Sequence, residues 1–239
     1  MMYSFWDPTY WLIIIGSIIC LAASAKVKTT YNKYSKVRSA SGLTGAEAAE
    51  RILRESGISD VRVQHISGNL NDHYDPKNKV LNLSDAVYGS ASVAAVGVAA
   101  HECGHAIQHA QAYFPLNLRS TFVPIANFGS MLSWPMIIIG ILLNGFTTRG
   151  SLGGLLIQAG IIFFSMAVIF QLITLPVELN ASSRAVRILG GKGMLNQEEL
   201  QCTRKVLTAA ALTYVASAAA AILQLLRLVI LFGGRDDRD

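Results

Sequence analysis

Charged side chains are scarce in this sequence. They make up 15% of its 239 residues, against about 25% in an ordinary water-soluble domain. A shortfall of that size excludes a surface solvated on every side and points to lipid-facing area. Cysteine is scarce too. Cys20, Cys103 and Cys202 are widely separated and odd in number, which argues against a disulfide framework. Residues 1–9 hold no lysine or arginine, so the first apolar run lacks the basic start of a signal peptide, although "ASA" at 23–25 resembles a cleavage site. The net charge of +5 does not mark a nucleic-acid binder, because the basic residues cluster beside apolar segments instead of forming a phosphate-binding face.

What the chain has in excess is apolar length, with 52% hydrophobic residues. Tyr10–Ala25 reaches spanning length if it starts near Phe5. Val123–Leu143 and Leu152–Leu175 run without a charge for 21 and 24 residues, which meets the requirement of roughly 20. The short polar turn "NGFTTRGS" between them makes a helical hairpin. Val206–Phe232 carries one charge, Arg227. Trp6 and Trp11 suit interface anchors, and Trp134 beside Pro135 suits either an anchor or packing at a kink. Lys26–Arg38 holds five basic residues and no acid, and 176–205 holds five more, whereas Arg149 stands alone in the hairpin turn. The positive-inside rule then puts 26–120 and 176–205 in the cytoplasm. The expected divisions are a membrane helix at 1–25, a cytoplasmic portion at 26–120, a membrane hairpin at 121–175, a cytoplasmic helix at 176–205, and a membrane helix with tail at 206–239. The side on which the C-terminal "GGRDDRD" lies stays open.

Within the cytoplasmic portion, Thr44 and Glu47 form a capping-box pattern ahead of Ala48, Ala49, Ile52 and Leu53, which predicts an amphipathic helix over 44–56 stopped by Gly57. "VRVQHIS" (61–67) and "KVLNLS" (79–84) alternate as half-buried strands do, and "GNLNDHYDPKN" between them reads as a hairpin-type loop. Ala91–His109 is small, apolar and free of proline, hence a buried helix. Asn196 and Glu199 repeat the capping-box pattern, so a helix beginning there runs through Phe232.

The second half of the Ala91–His109 helix reads "HECGHAIQH". His101, Glu102 and His105 form H-E-x-x-H. On a helix, positions i and i+4 share a face, so both imidazoles reach one metal ion while the adjacent carboxylate reaches a water bound there. Zinc acidifies such a water and polarises a carbonyl. His109 lies too far along the axis to join, about 12 Å from His101 at 1.5 Å per residue, and Cys103 faces away from the pair. The longer motif with a third histidine fails because 108 and 111 are both Gln. A catalytic zinc needs one more ligand. Downstream carboxylates are Glu178, Glu198, Glu199 and the terminal Asp236, Asp237 and Asp239. Glu198 and Glu199 suit the first turn of a helix, which leaves Glu178. It follows Pro176, where a helix N-terminus would also favour a carboxylate.

"HECGHAIQH", "DHYDP" at 72–76 and "PVELNASSRA" at 176–185 resemble the YugP-type membrane-bound neutral zinc metallopeptidases, themselves similar to HtpX-like and CAAX prenyl proteases. The resemblance covers nearly the whole chain. It implies a mainly α integral membrane protein, with about four transmembrane helices and a small cytoplasmic zincin-like α/β portion carrying the HExxH helix. It implies one Zn2+ per chain held by His101, His105 and Glu178, with Glu102 as general base, as in an HExxH…E (gluzincin-type) peptidase. Ser182 stands where the HtpX-like pattern has aspartate. The resemblance also suggests that "KVLNLS" (Lys79–Ser84) is the edge strand to which an extended substrate adds. The implied place is a multi-pass position in a bacterial cell membrane, with the active site on the cytoplasmic side and room for membrane-protein partners.

The reading is a zinc endopeptidase acting on unfolded, membrane or peptide substrates. His65, His73, Tyr74, Asn180 and Arg184 are all open as transition-state stabilisers. The alternative is a metal-handling transport protein without hydrolysis. Against it, the candidate spans are almost free of charge and the ligands cluster outside them. A scaffold with structural zinc has no use for Glu102.

Overall fold

A computed structural model of the chain describes residues 7–143 and 151–233. The turn expected between the hairpin limbs, with Arg149, lies outside the described residues, as do Phe5, Trp6 and the acidic terminal tail. Among the described residues the elements run α1 (Tyr10–Tyr34), α2 (Gly45–Glu55), β1 (Arg62–Ile66), β2 (His73–Asp75), β3 (Val80–Ser84), α3 (Val93–Ala110), α4 (Phe114–Leu142), α5 (Leu152–Gly191) and α6 (Gln197–Gly233). The protein is mainly helical, with one small mixed sheet. Helices α1, α4, α5 and α6 are each long and apolar enough to cross a membrane.

The chain divides into two compact units. One comprises Met1–Ala22, Leu118–Thr174 and Tyr214–Asp239. Its helices approach through small residues. A Cβ on Gly160 would come within 2.8 Å of the Ser133 carbonyl oxygen, and one on Gly140 within 2.6 Å of that of Gly153. Where lipid competes for apolar contact, this close backbone approach is what favours helix on helix over helix on lipid. Arg227, the lone charge of the last apolar run, lies 3.9 Å from Asp7 and stacks 4.4 Å from the centre of the Tyr10 ring. The side chain thereby gains a counter-charge and a π face in place of water.

The other unit comprises Ala23–Asn117 and Leu175–Thr213. Helix α2 starts with both halves of its capping box, the Glu47 N–H donating to Thr44 Oγ1 and the Thr44 N–H to Glu47 Oε2. It buries Ala48, Ala49, Ile52 and Leu53, and these join Ala99, Ala100 and Cys103 of α3 in one core. Helix α6 starts at the second capping box, Asn196 with Glu199.

Three expectations are overturned. The 79–84 segment is not an edge strand. The sheet order is β1-β3-β2, so β3 is central, with β1 parallel on one side and β2 antiparallel on the other. Substrate cannot add to a strand already paired along both edges. The burial pattern agrees: Val80, Leu81, Leu83 and Ser84 are all buried, whereas Arg62, Gln64 and His65 of β1 are exposed. Nor do β1 and β3 form a hairpin. The polar segment joining them holds β2, and Asp72 just before it accepts from the N–H and hydroxyl of Ser84 at 2.7 and 3.0 Å. The long connection lets β1 and β3 run parallel, which no tight turn permits.

Glu178 does not sit at a helix start. Pro176 lies inside α5, which continues unbroken from Leu152 to Gly191. Proline also lies inside α4, at 124 and 135.

Candidate metal centre

The α3 helix is capped by Ser92, whose hydroxyl accepts from the Ala95 N–H at 3.2 Å. Small residues let it pack closely. A Cβ on Gly104 would lie 2.7 Å from the Ala181 carbonyl oxygen of α5, and one on Gly97 2.6 Å from the Thr203 side chain of α6. Gly104 is inside the H-E-C-G-H string itself, so the backbone of the histidine helix touches the backbone of the helix carrying Glu178.

That contact brings three ligand-type side chains together. His101 Nε2 lies 3.3 Å from Glu178 Oε2 and His105 Nε2 lies 3.5 Å from the same oxygen. The three ligand atoms all fall within 4.8 Å of one another. The two imidazoles meet edge to face, with ring centres 4.8 Å apart and planes at 88°. Glu178 is 2% exposed.

The rear nitrogens are both engaged. His101 Nδ1 is 3.1 Å from the Ser182 hydroxyl, which occupies the place expected for a supporting carboxylate. His105 Nδ1 is 3.0 Å from Gln108 Oε1. The Gln108 amide is oriented by its other end, where Nε2 donates to the Val177 carbonyl and to Asn180 Oδ1. An amide oxygen only accepts, so His105 donates through Nδ1 and, when neutral, presents a lone pair at Nε2. That lone pair points toward a carboxylate oxygen, an arrangement that requires a proton or a cation between them. Two imidazole nitrogens and a carboxylate, with the rear nitrogens held by hydrogen bonds, are a donor set suited to zinc. Burial pulls the His105 pKa down, but the hydrogen bond to Glu178 and the charges of Glu102 and Glu178 outweigh it and raise the pKa above its ordinary value.

Glu102 is 8% exposed, and its Oε2 accepts from the Tyr74 N–H of β2 at 3.0 Å. The Tyr74 hydroxyl lies 2.8 Å from His109 Nδ1. His109 is therefore outside the three-residue cluster and tied to β2. Cys103 is fully buried against α2, with Sγ 3.6 Å from the Ala49 carbonyl oxygen. Burial, then the nearby Glu102 charge, push its thiol pKa well up, which leaves an inert thiol.

The open candidates separate. His65 pairs with Asp85 at 2.7 Å, and His73 bonds Asn71 and Asn82. Arg184 donates to Asn180 at 2.7 Å and to Gln111 at 2.6 Å, its guanidinium 5.7 Å from the centre of the Tyr113 ring. Gln108 and Gln111, which in sequence only broke a longer motif, thus link α3 to α5. The spacing of Gln108, three residues after His105 and so on its face of the helix, was the available signal. Nothing local announced the Tyr74 N–H.

Apolar helices of spanning length, together with a cluster of two histidines and a glutamate that could hold a metal ion, define a membrane metalloprotein. Over residues 9–233 the chain matches the family described as "Putative neutral zinc metallopeptidase", and it belongs to that family. It is 50% identical over 216 residues to the protein named "Putative membrane protease YugP" of Bacillus subtilis (strain 168), a match covering 90% of this chain and 92% of that protein. No solved structure matches the chain.

Proposed function

We propose that the protein is a membrane-embedded endopeptidase of the HExxH…E type, with His101, His105 and Glu178 as zinc ligands and Glu102 as general base. The convergence of His101 Nε2, His105 Nε2 and Glu178 Oε2, with Glu102 one residue from the first ligand, carries this reading. Zinc supplies Lewis-acid polarisation of the scissile carbonyl and acidifies the attacking water. The chain's own groups do the rest. Glu102 takes the water's proton and returns it to the leaving amine, a role suited to a mostly buried carboxylate beside the ligands. The Tyr74 N–H holds Oε2 of that carboxylate and fixes its plane. Ser182 and Gln108 keep the two imidazoles turned toward Glu178.

The substrates are unfolded or membrane proteins, or peptides, met at the cytoplasmic face. The five basic residues of 26–38 and the five of 176–205 support that side by the positive-inside rule. Hydrolysis is favoured over metal transport because two of the three proposed ligands sit on α3, which is not among the candidate spans, and because a carboxylate stands beside them as a base; Glu178 alone comes from a candidate span, α5.

The test is a pair of measurements on the detergent-purified protein and its Glu102→Gln variant. Bound zinc is expected to be equal, and casein hydrolysis is expected to fall by about 10²-fold or more. Equal hydrolysis by both would remove Glu102 from the chemistry. Full zinc occupancy in Glu178→Ala would remove Glu178 as a ligand.

A further inference from the structure

Four cationic side chains surround one cavity between α1 and α6. Its volume is about 540 Å³, and Lys26, Lys33, Arg204 and Lys205 line it together with Thr30 and Thr208. No aspartate or glutamate contributes to the lining. All four cations are exposed. Among the described residues, Lys26, Arg204 and Lys205 have no ion pair or hydrogen bond to another side chain. Lys33 lies over the ring of Tyr34 at 5.4 Å. Like charges gathered without a carboxylate repel one another, and an anion seated among them relieves that repulsion.

The position of the cavity along the helices identifies the anion. Lys26 directly follows the charge-free run Tyr10–Ala25, and Lys205 directly precedes the charge-free run Val206–Leu226. The cavity therefore starts at the ends of two runs that suit the hydrocarbon core, at the depth of phospholipid phosphates, and extends outward about two turns along α1 to Lys33. A soluble anion has no reason to prefer that depth. A lipid headgroup is confined to it, and the acyl chains beside it are solvated by the same apolar runs.

We propose that this cavity binds the headgroup of an anionic phospholipid. Arg204 grips the phosphate through its planar fork, Lys26 and Lys205 add charge, and the threonine hydroxyls donate to the remaining oxygens. A zwitterionic headgroup is disfavoured because its cation would meet Lys26 and Lys33. The cavity shares no residue with the His101, His105 and Glu178 cluster, so this site stands or falls separately from the peptidase reading.

Native mass spectrometry of the detergent-solubilised full chain, titrated with phosphatidylglycerol or phosphatidylcholine, tests it. The wild type is expected to retain phosphatidylglycerol about tenfold more tightly than phosphatidylcholine. The triple variant Lys26→Gln, Arg204→Gln, Lys205→Gln is expected to lose that preference, whereas Lys77→Gln, in the β2–β3 turn, keeps it. If the triple variant fails to fold, Arg204→Gln alone carries the comparison, with a partial loss expected. Equal retention of the two lipids, unchanged binding in the folded variants, or displacement of the lipid by millimolar inorganic phosphate would each overturn the proposal.

Discussion

Gln108 accepts a hydrogen bond from His105 across 3.0 Å, and the same amide donates to Val177 and Asn180 of α5. The ring orientation of one candidate ligand on α3 is therefore set by the helix that supplies Glu178. A fully buried glutamine in this position costs desolvation unless each of its polar atoms is used, and here both ends are.

Replacing that amide by an apolar side chain of similar size leaves the His105 ring without its rear partner. Gln108→Leu is expected to lower zinc affinity by about 10- to 100-fold, read by competition with a chromophoric chelator. Gln111→Ala, which touches Arg184 and neither histidine, should change affinity far less. A folded Gln108→Leu protein with wild-type affinity would show that the amide serves packing alone.

Gly104 makes a second prediction, on stability. Its missing Cβ is what allows α3 to lie against the Ala181 backbone of α5, where an added Cβ would come within 2.7 Å of the Ala181 carbonyl oxygen. A methyl group there meets backbone, which cannot swing aside. Gly104→Ala is expected to cost about 1–3 kcal/mol and to reduce zinc content, because the helices must separate. Gly57→Ala is the contrast. It has nothing within 4 Å but a φ of +73°, so its cost is backbone strain remote from the site. Unchanged melting temperature and zinc content in Gly104→Ala would refute the close-contact argument.

Acid should release the metal early. The metal-free His105 holds its proton to a higher pH than an ordinary imidazole, because the hydrogen bond to Glu178 and the charges of Glu102 and Glu178 outweigh burial. Protonated imidazole has no lone pair at Nε2 to give. Zinc must displace that proton, so apparent affinity falls as pH drops through the raised pKa, by about one decade per pH unit for one proton. Zinc titrations between mildly acidic and mildly basic buffer would show the slope, and a flat profile would contradict it.

Ser182 offers a test of charge behind a candidate ligand. Its hydroxyl meets His101 Nδ1 at 3.1 Å, where a carboxylate would raise the basicity of the ring more strongly. Ser182→Asp is expected to tighten zinc binding, and Ser182→Ala to weaken it by up to about tenfold. Identical affinities in all three proteins would mean that the hydroxyl does not tune His101.

The helices were legible because their signals are local. Capping boxes at Thr44/Glu47 and Asn196/Glu199 mark the starts of α2 and α6, and charge-free runs mark the long helices. Among the helices, the local signal that misled was a proline. Pro176 suggested a helix start, but α5 passes through it. A missing N–H near a spanning segment is tolerated when neighbouring helices and adjacent backbone compensate.

The H-E-x-x-H spacing by itself determined that two imidazoles share a helical face with a carboxylate beside them, because the 3.6-residue period is a property of the chain alone. Only the tertiary structure decided what meets that face. Glu178, 77 residues beyond His101, arrives because Gly104 admits the α5 backbone. The Tyr74 N–H arrives because β2 is added outside a central β3. No local pattern encodes strand order, since alternation reports burial of a face and not which neighbour pairs with which edge. Gln108 showed in the sequence as a departure from a longer motif, and it acquired a role only when α5 came within hydrogen-bonding distance.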